Sequence, residues 1–381
     1  MTTTKALMNR RQFVLTSSAI LGSSAVAAIA KPAAKGADSG PAAHLYRRAL
    51  VLDCNLAPGP GLGDTLPLQQ ADIDLIRSSG VTVIKYSIGG FNNGFEDTLD
   101  EIAFCQQLIE VHPDLFMQVR RAEDCARAKR DNKIGIIFSF EGVAMLEGKV
   151  ERIELFRHLG VRVMQLSYND VSPFGSGVLA PPEAHGLTDL GRSAVEKMNE
   201  IGVAVDLSHA GPATTRDAMA HSKVPVIMSH AGCSAVHPHP RNKTDEQLRA
   251  LVEKGGVLGI YDLPYLTAGP HQPNVSDYID HMIHALNVCG EDHVGIGSDQ
   301  GIPPFDTSPK GIEEFEKYEQ QRIAAGIAAP EEDRPTYVEG LNVPNRCEVI
   351  ADNLLKHGYS ARVTEKVLGS NFVRVFTEIW S

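Results

Sequence analysis

The sequence lacks the features that mark several common classes of protein. Its 36 Lys and Arg residues are outnumbered by 47 Asp and Glu residues, and the net charge of −11 argues against a nucleic-acid-binding face. After the first thirty residues, no apolar run is long enough to span a bilayer. The six cysteines are scattered without C-x-x-C spacing, so most are expected to be isolated buried thiols, and any disulfide pairing stays open.

Two catalytic motifs are also missing. The sequence has no G-x-S-x-G elbow, which disfavours a serine nucleophile of the α/β-hydrolase type. Ser208 and Ser229 each precede a histidine, and strand alternation predicts that they point to the opposite face from it. The G-x-G runs at Gly59–Gly61 and Gly295–Gly297 lack the third glycine of a dinucleotide-binding loop, so they indicate tight turns or close packing.

The N-terminus has the composition of an export signal. Met1–Ala30 contains Lys5, Arg10 and Arg11 but no acidic residue, and an apolar stretch follows from Phe13 to Ile29. The segment around the paired arginines resembles a twin-arginine signal, and small residues after it offer cleavage sites of the A-x-A kind. We therefore expect a periplasmic or otherwise exported protein. A signal that is kept as a membrane anchor is the alternative.

The rest of the chain repeats one pattern, in which a short apolar or β-branched run ends at a polar residue and a helical pattern follows. Eight such runs are present: Ala49–Asp53, Val81–Ser87, Ile134–Glu141, Val161–Tyr168, Val203–His209, Val224–His230, Gly256–Asp262 and His293–Asp299. Eight buried strands alternating with helices predict a parallel sheet closed into an α/β (β/α)₈ TIM barrel, with a doubly wound open sheet as the alternative. Residues 31–43 are expected to be a linker, and residues 44–381 a single barrel domain.

Polar residues stand where these strands end. The C-terminal ends of barrel strands converge on one mouth, where active sites form. Among the residues at these ends, Glu141, His209 and His230 make up the His₂Glu set that is common in catalytic zinc sites. The other strand-end residues are Asp53, Ser87, Tyr168, Asp262 and Asp299. So many histidines and carboxylates in one mouth favour a bound cation, because they are otherwise unfavourable to desolvate together.

Ordered sequence blocks from Asp53 to the C-terminus carry a family resemblance. They include Gly186–Arg192, Val205–His209, Pro225–His230, Arg241–Asn242, Gly255–Val257, His293–Asp299 and Leu368–Arg374. In these blocks the sequence resembles the renal, or membrane, dipeptidase family, whose members are zinc-dependent barrels of the amidohydrolase type. The resemblance implies a metal-dependent hydrolase that cleaves a dipeptide or similar small amide, and it also implies a possible homodimer.

The resemblance assigns roles to several residues. The family uses two zinc ions bridged by a glutamate, which Glu141 matches, and His209 and His230 match the histidine ligands of one zinc. Asp299 matches the acid/base that handles protons around the attacking water. Arg241 matches an arginine that holds the substrate carboxylate, with Asn242 beside it as a further substrate-binding candidate.

Two departures from the family pattern stand out. Where the family has an H-x-D motif that binds the other zinc, this sequence has Asn55 and Ala57. Alanine cannot ligate and an amide replaces imidazole poorly, so we expect one zinc per chain, with two as the alternative. Where the family has a fourth-strand histidine that stabilises the oxyanion, this sequence has Tyr168, whose hydroxyl is the candidate donor.

Two hypotheses follow. In the first, a single zinc held by Glu141, His209 and His230 drives hydrolysis, with Asp299 taking the water's proton and passing it to the leaving group. In the second, the barrel has lost peptidase activity and acts on a non-peptide small molecule, by other hydrolysis or lyase chemistry, or only binds it. A dipeptide or similar small molecule is the expected partner.

Three further expectations concern the surroundings of the site. Asp206 is expected to be structural and to face away from His209. His237 and His239 lie in a proline-rich loop and are expected to be exposed to solvent. The segment Gly301–Asn342, rich in Pro, Glu and Asp, is expected from its position to form a lid over the mouth.

Overall fold

The fold is taken from a computed structural model that describes residues 40–59, 63–89, 93–181, 183–324, 326 and 328–381. The expected export signal lies outside the described residues, as does most of the expected linker. The first described helix, α1 (Pro41–Arg48), begins inside the linker segment and buries Ala42 and Ala43.

Eleven strands are present in the described part of the chain. They are β1 (Leu52–Asp53), β2 (Leu56–Ala57), β3 (Val83–Gly89), β4 (Phe116–Gln118), β5 (Ile134–Phe140), β6 (Val161–Gln165), β7 (Ala204–Asp206), β8 (Ile227–Ala231), β9 (Val257–Ile260), β10 (Val294–Ile296) and β11 (Gln300–Gly301). The main sheet runs in the order β3-β1-β10-β9-β8-β7-β6-β5, all parallel, and β3 pairs with β5 to close it. The predicted (β/α)₈ barrel is therefore confirmed, and the open sheet is wrong.

Helices cover the outside of this barrel. After α1 they are α2 (Gln70–Ser78), α3 (Phe95–Val111), α4 (Glu123–Arg130), α5 (Arg152–Leu159), α6 (Asp189–Ile201), α7 (Pro212–His221), α8 (Asp245–Glu253), α9 (Val275–Cys289), α10 (Pro309–Ala324), α11 (Arg346–Lys356), α12 (Ala361–Glu365) and α13 (Asn371–Ile379). No helix in the described ranges has both the length and the apolar character needed to cross a membrane.

The interior of the barrel is layered. Towards the N-terminal ends of the strands lies an apolar layer formed by Leu52, Val83, Ile137, Val163, Ala204, Ile227 and Val257. Phe372 and Phe376 of α13 pack against this layer and close the barrel from below. Gly295 permits that contact, since a Cβ atom there would come within 2.5 Å of the Phe372 ring. The expectation that this glycine run serves close packing is confirmed.

A polar layer lies above the apolar one, two residues further along the strands. Its members are the buried side chains of Lys85, Ser139, Gln165, Asp206 and Ser229. They are joined to one another, with Lys85 Nζ 3.3 Å from Ser139 Oγ and 3.9 Å from Asp206 Oδ2. Gln165 Nε2 also donates to Asp206 Oδ2 over 3.2 Å. The mouth of the barrel lies directly above this polar layer.

Two strand predictions need correction. β4 was not predicted, because three residues are too few to show a pattern, and it pairs with the beginning of β5. Several predicted strands also end earlier than expected. β6, for example, stops at Gln165, and β7 stops at Asp206. Their last residues turn out of the ladder to place side chains in the mouth.

All six cysteines are buried thiols, and none forms a disulfide. Burial raises the pKa of Cys125 to about 12 and disfavours its thiolate. The expectation of isolated buried thiols is therefore confirmed.

Candidate metal centre

Three residues from distant parts of the chain meet in the barrel mouth. Glu141 directly follows β5, His230 lies in β8, and Asp299 lies three residues beyond β10. Each offers one ligand atom, these atoms all lie within 4.8 Å of one another, and all three side chains are buried. Asp299 adopts a left-handed backbone with φ of 60°, which aspartate tolerates better than most residues. The convergence predicted for strand-end residues thus occurs.

His209 stands next to this group. Its Nε2 atom lies 3.0 Å from Nε2 of His230. Its Nδ1 atom lies 2.7 Å from Oδ1 of Asn169, an amide oxygen that can only accept, so Nδ1 carries the hydrogen. The Nε2 atom of His209 is therefore an acceptor, and it faces both His230 and Nη2 of Arg241, which lies 2.9 Å away and can only donate.

Hydrogen bonding sets the tautomer of His230 in the same way. Its Nδ1 atom lies 2.8 Å from Ser229 Oγ, and that hydroxyl gives its only hydrogen to Asp206. Ser229 must therefore accept from Nδ1–H, which leaves a second lone pair on Nε2 of His230. These two nitrogens face each other 3.0 Å apart, and a proton or a cation, such as the Arg241 guanidinium that donates to His209, offsets the repulsion of their lone pairs. This donor set, two imidazole nitrogens beside a carboxylate, fits a divalent metal ion such as zinc.

Ser208 and Ser229 were predicted to point away from the histidines, and this is wrong. Both hydroxyls donate to Asp206, and Ser229 also contacts His230. Strand alternation fails here because β7 has already ended at Asp206, and because the pairing of β8 with β9 shifts register between Met228 and Ala231. Asp206 is structural, as expected, since it anchors both serines.

Arg241 is buried beside the histidine pair. Its Nη2 atom lies 2.9 Å from Nε2 of His209, and its Nη1 atom donates to the carbonyl oxygen of Ser208 over 2.7 Å. Lys243 steadies the same turn by donating to the carbonyls of Leu207 and Ala210. Burial and the neighbouring Arg241 lower the pKa of Lys243 to about 7. A guanidinium group thus lies directly at the edge of the candidate site.

Asn242 is placed differently from Arg241. Its amide nitrogen donates to the carbonyls of His237 and Tyr265, and its amide oxygen accepts from the hydroxyl of Tyr261. These contacts fix the loop after β8, so the structure brings Asn242 to this loop rather than into the cluster of ligand atoms.

Tyr168 stacks on His209, with 4.2 Å between the ring centroids and 22° between the ring planes. It also interacts electrostatically with Arg322 of α10. Burial opposes the charge of Arg322, but Tyr168 and Glu332 outweigh that effect and raise its pKa above the usual value. Tyr168 is therefore held between a candidate ligand and the segment that follows the barrel.

The segment Gly301–Asn342 lies against the loops of the mouth. Arg334 donates to the carbonyls of Pro264 and Thr267, and Glu331 pairs with His237 over 3.0 Å. Pro330 accepts a hydrogen bond from His239, which is only 5% exposed, and burial lowers the pKa of His239 to about 4. The expectation that His239 is exposed is wrong, because this segment covers it.

Two contributors were missed by the sequence reasoning. Lys85 is fully buried in the barrel, and Asn55, considered only as a lost ligand, bonds to both Glu141 and Asp299. A signal for Lys85 was available, since a lysine stands in the middle of the otherwise apolar strand β3. Nothing in the sequence revealed the partners of Asn55.

The chain matches known proteins over most of its length. The model of the family described as membrane dipeptidase, peptidase family M19, matches residues 68–328. A dipeptidase, tcpJ, from Claviceps purpurea is 31% identical over 286 residues, 74% of this chain. An uncharacterized dipeptidase, C965.12, from Schizosaccharomyces pombe is 34% identical over 229 residues, 58% of this chain. The chain spans 60% and 54% of the lengths of these two relatives.

Solved structures agree with the fold. An amidohydrolase from Pseudomonas aeruginosa superposes with a TM-score of 0.77 at 30% identity, covering 89% of this chain and 99% of that one. A metallopeptidase from Rhodobacter sphaeroides, liganded with a phosphinate mimic of the dipeptide L-Ala-D-Ala, gives 0.70 at 19% identity, covering 87% and 99%. The second likeness concerns the fold alone. By its family match and its relatives, the chain belongs to the membrane dipeptidase family, peptidase family M19.

Proposed function

We propose that this chain is a zinc-dependent hydrolase that cleaves a dipeptide or a similar small amide. Membership of peptidase family M19 implies a metal cofactor, and zinc, at one ion per chain, is our assignment. The observation that carries it is the pair of imidazole Nε2 atoms, both acceptors and 3.0 Å apart, beside the carboxylate of Glu141. The relatives named as dipeptidases support the substrate class.

Glu141, His209 and His230 would hold the ion, with Asp299 beside them. When bound, zinc supplies Lewis acidity that acidifies water and polarises a carbonyl group. Asp299 would take a proton from the attacking water as the water oxygen bonds to the carbonyl carbon, and it would return that proton to the amine nitrogen as the C–N bond breaks.

Arg241 and Tyr168 act on the substrate. The buried guanidinium of Arg241 presents positive charge at the edge of the cluster, where it suits a carboxylate. The Tyr168 hydroxyl donates to the carbonyl oxygen as negative charge develops there. Asn242 supports this arrangement through the loop that carries Arg241.

The test is hydrolysis of a panel of L,L- and L,D-dipeptides by the purified chain with zinc, after chelation, and after zinc is restored. We expect cleavage that is lost on chelation, regained with zinc, and absent in His230→Ala. His284→Ala is the matched control, since His284 pairs with Asp245 on the outer helices. Undiminished cleavage by the chelated protein would falsify the proposal, as would the absence of cleavage across the whole panel.

The second candidate is hydrolysis of a non-peptide substrate, or lyase chemistry, by the same site. It is favoured by Tyr168, which stands where the resemblance implies a histidine, and by the likeness to a protein described as an amidohydrolase. Lactones, esters and cyclic amides added to the same panel distinguish the two. Turnover of these compounds alone would select the second candidate.

We also propose that the chain is exported through its twin-arginine-like N-terminus and works in the periplasm. The test is fractionation of cells that express the full chain, compared with an Arg10→Lys/Arg11→Lys double variant. We expect the unaltered chain in the periplasmic fraction and the double variant in the cytoplasm. Equal distribution of the two would contradict export by this route. A homodimer is likewise proposed, to be tested by light scattering.

A further inference from the structure

Asn55 holds Asp299 by both its backbone and its side chain. The carbonyl oxygen of Asn55 accepts from the backbone nitrogen of Asp299 over 2.7 Å. The amide nitrogen of Asn55 donates to Oδ1 of Asp299 over 2.8 Å. The backbone bond supports the left-handed conformation of Asp299, which few side chains tolerate. The side-chain bond fixes the direction of the Asp299 carboxylate.

The same amide also reaches Glu141. Its second hydrogen goes to Oε1 of Glu141, again over 2.8 Å, so both hydrogens of one NH₂ group join two carboxylates. Ser87 donates to the same Oε1 atom over 3.1 Å. These two donors compete with a metal ion for Oε1, the Glu141 oxygen that lies 4.0 Å from Nε2 of His230.

A buried ammonium group supports Asn55 from behind. Lys85 Nζ donates to Oδ1 of Asn55 over 3.0 Å, and it lies 3.3 Å from each of the hydroxyls of Ser87 and Ser139. Lys85 is completely shielded from solvent, and the charged group closest to it is Asp206, 3.9 Å away. A fixed positive charge thus stands one amide group away from the two carboxylates.

We propose that Asn55 and Lys85 replace a second cation in this mouth. The Asn55 amide ties Glu141 to Asp299 as a shared metal ion would, and Lys85 supplies the positive charge. Asn55 is therefore a positioning residue for Asp299, and the site accepts one metal ion. The inference builds on the proposed metal-dependent function, but it concerns how many ions the mouth accepts.

The test is metal content, measured on the full chain after equilibrium dialysis against zinc at pH 8. Asn55→Asp keeps the shape of the side chain but exchanges the two N–H donors for an oxygen, so three carboxylates then converge. We expect Asn55→Asp to bind one zinc equivalent more than the unaltered chain, and its melting temperature to rise with zinc.

Asn371→Asp is the matched control. Asn371 is also buried, and its amide also donates two 2.8 Å hydrogen bonds, to the carbonyls of Glu291 and Val294. We expect this variant to melt at a lower temperature without any gain in zinc. If Asn55→Asp behaves in the same way, the Asn55 amide is merely structural and the inference is wrong.

The role of Lys85 is tested in the Asn55→Asp background. Adding Lys85→Met removes a positive charge that repels the extra ion, and we expect that ion to bind about tenfold more tightly or better. Unchanged affinity would show that Lys85 does not stand in for cationic charge.

These outcomes separate the inference from the proposed function. An unaltered chain that binds one zinc but cleaves no dipeptide would refute dipeptide hydrolysis and leave the inference intact. An unaltered chain that binds two equivalents would refute the inference and leave hydrolysis possible.

Discussion

At the scale of single residues, the chemistry of the mouth depends on which nitrogen of each histidine carries hydrogen. For His230 the choice is made by Ser229, whose hydroxyl is itself oriented by Asp206. For His209 it is made by the amide oxygen of Asn169. These neighbours make both Nε2 atoms acceptors before any ion binds, which lowers the reorganisation needed for binding. An ion at His209 displaces the hydrogen bond from Arg241.

Ser229→Ala should therefore weaken zinc binding. The variant removes the acceptor that fixes the His230 tautomer, and loss of such a partner lowers metal affinity by about 10- to 100-fold. Competition with a chromogenic chelator measures the change. Ser222→Ala is the control. Ser222 directly follows α7 and is also buried, but its hydroxyl donates to the carbonyl of Val224, away from the histidines. Equal affinity in the two variants would contradict the role given to Ser229.

Tyr168→Phe should lower kcat while leaving the metal content unchanged. The ring can still stack on His209, but the hydroxyl donor is lost, and removal of one oxyanion donor lowers kcat on the order of 10²-fold. Tyr359→Phe, in the turn after α11, should leave kcat as it was. Steady-state kinetics on the dipeptide that is cleaved fastest measures kcat. An unaltered kcat in Tyr168→Phe would show that the Tyr168 hydroxyl takes no part in the reaction.

The residues that could be predicted from the sequence are those whose type and strand-end position carry the signal. Glu141, His230 and Asp299 meet as expected because parallel strands direct their C-terminal ends to one mouth. The tie made by Asn55 was not predictable, since it depends on bonds across 86 and 244 residues of chain. Ser229 was misjudged because a register shift in β8 is invisible in the sequence pattern.

At the scale of elements, the segment after β11 combines helix α10 with loops that lie against the mouth. Helix α10 brings Arg322 to Tyr168, and the residues after it are fastened by Arg334. Arg334 is 7% exposed and donates to backbone carbonyls of the loop after β9. Arg334 thus fastens this segment to the barrel loops, together with the contacts of Glu331 and Pro330.

Arg334→Ala should loosen the segment and raise KM, with the metal content unchanged. Its buried carbonyl partners lose their donor, and each charge-assisted bond contributes about 1.5 to 3 kcal/mol. Limited proteolysis within residues 301–342 measures the loosening. Lys317→Ala is the control, since its ion pair with Glu313 on α10 is exposed and solvent screens it. Equal rates of proteolysis in the two variants would contradict this prediction.

The helical pattern expected after each strand is clearest where a capping residue starts it. The side chains of Thr188 and Thr244 cap α6 and α8, and α8 has a full capping box between Thr244 and Gln247. β4 was not predicted, because its three residues take their strand conformation from pairing with β5 rather than from their own pattern.

At the scale of the whole molecule, buried neutral histidines make stability depend on pH. Burial lowers the pKa of both His239 and His281 to about 4, below the unfolded value. Between about pH 6.5 and 4 the unfolded chain binds more protons than the folded chain, so stability is complete above this window and falls as the pH decreases through it.

His281→Gln should flatten this dependence. His281 contributes on the order of 3 kcal/mol to the loss of stability across the window. Urea unfolding of the unaltered chain and the variant at pH 7.5 and pH 5 measures it. The variant should be less stable at pH 7.5, because His281 accepts from Cys233 N and contacts Leu266 O. A pH dependence as steep as that of the unaltered chain would show that His281 is not its source.

The closure of the N-terminal end of the barrel by α13 has a consequence for the order of folding. Phe372 and Phe376 follow every strand of the barrel in the chain, yet they complete the innermost apolar layer. During synthesis the eight strands therefore emerge before the helix that seals them, and an apolar opening stays in contact with water until residues 371–379 leave the ribosome. The barrel can reach its final packing only after this helix has been translated. The shape of the mouth above it is therefore fixed late in the synthesis of the chain.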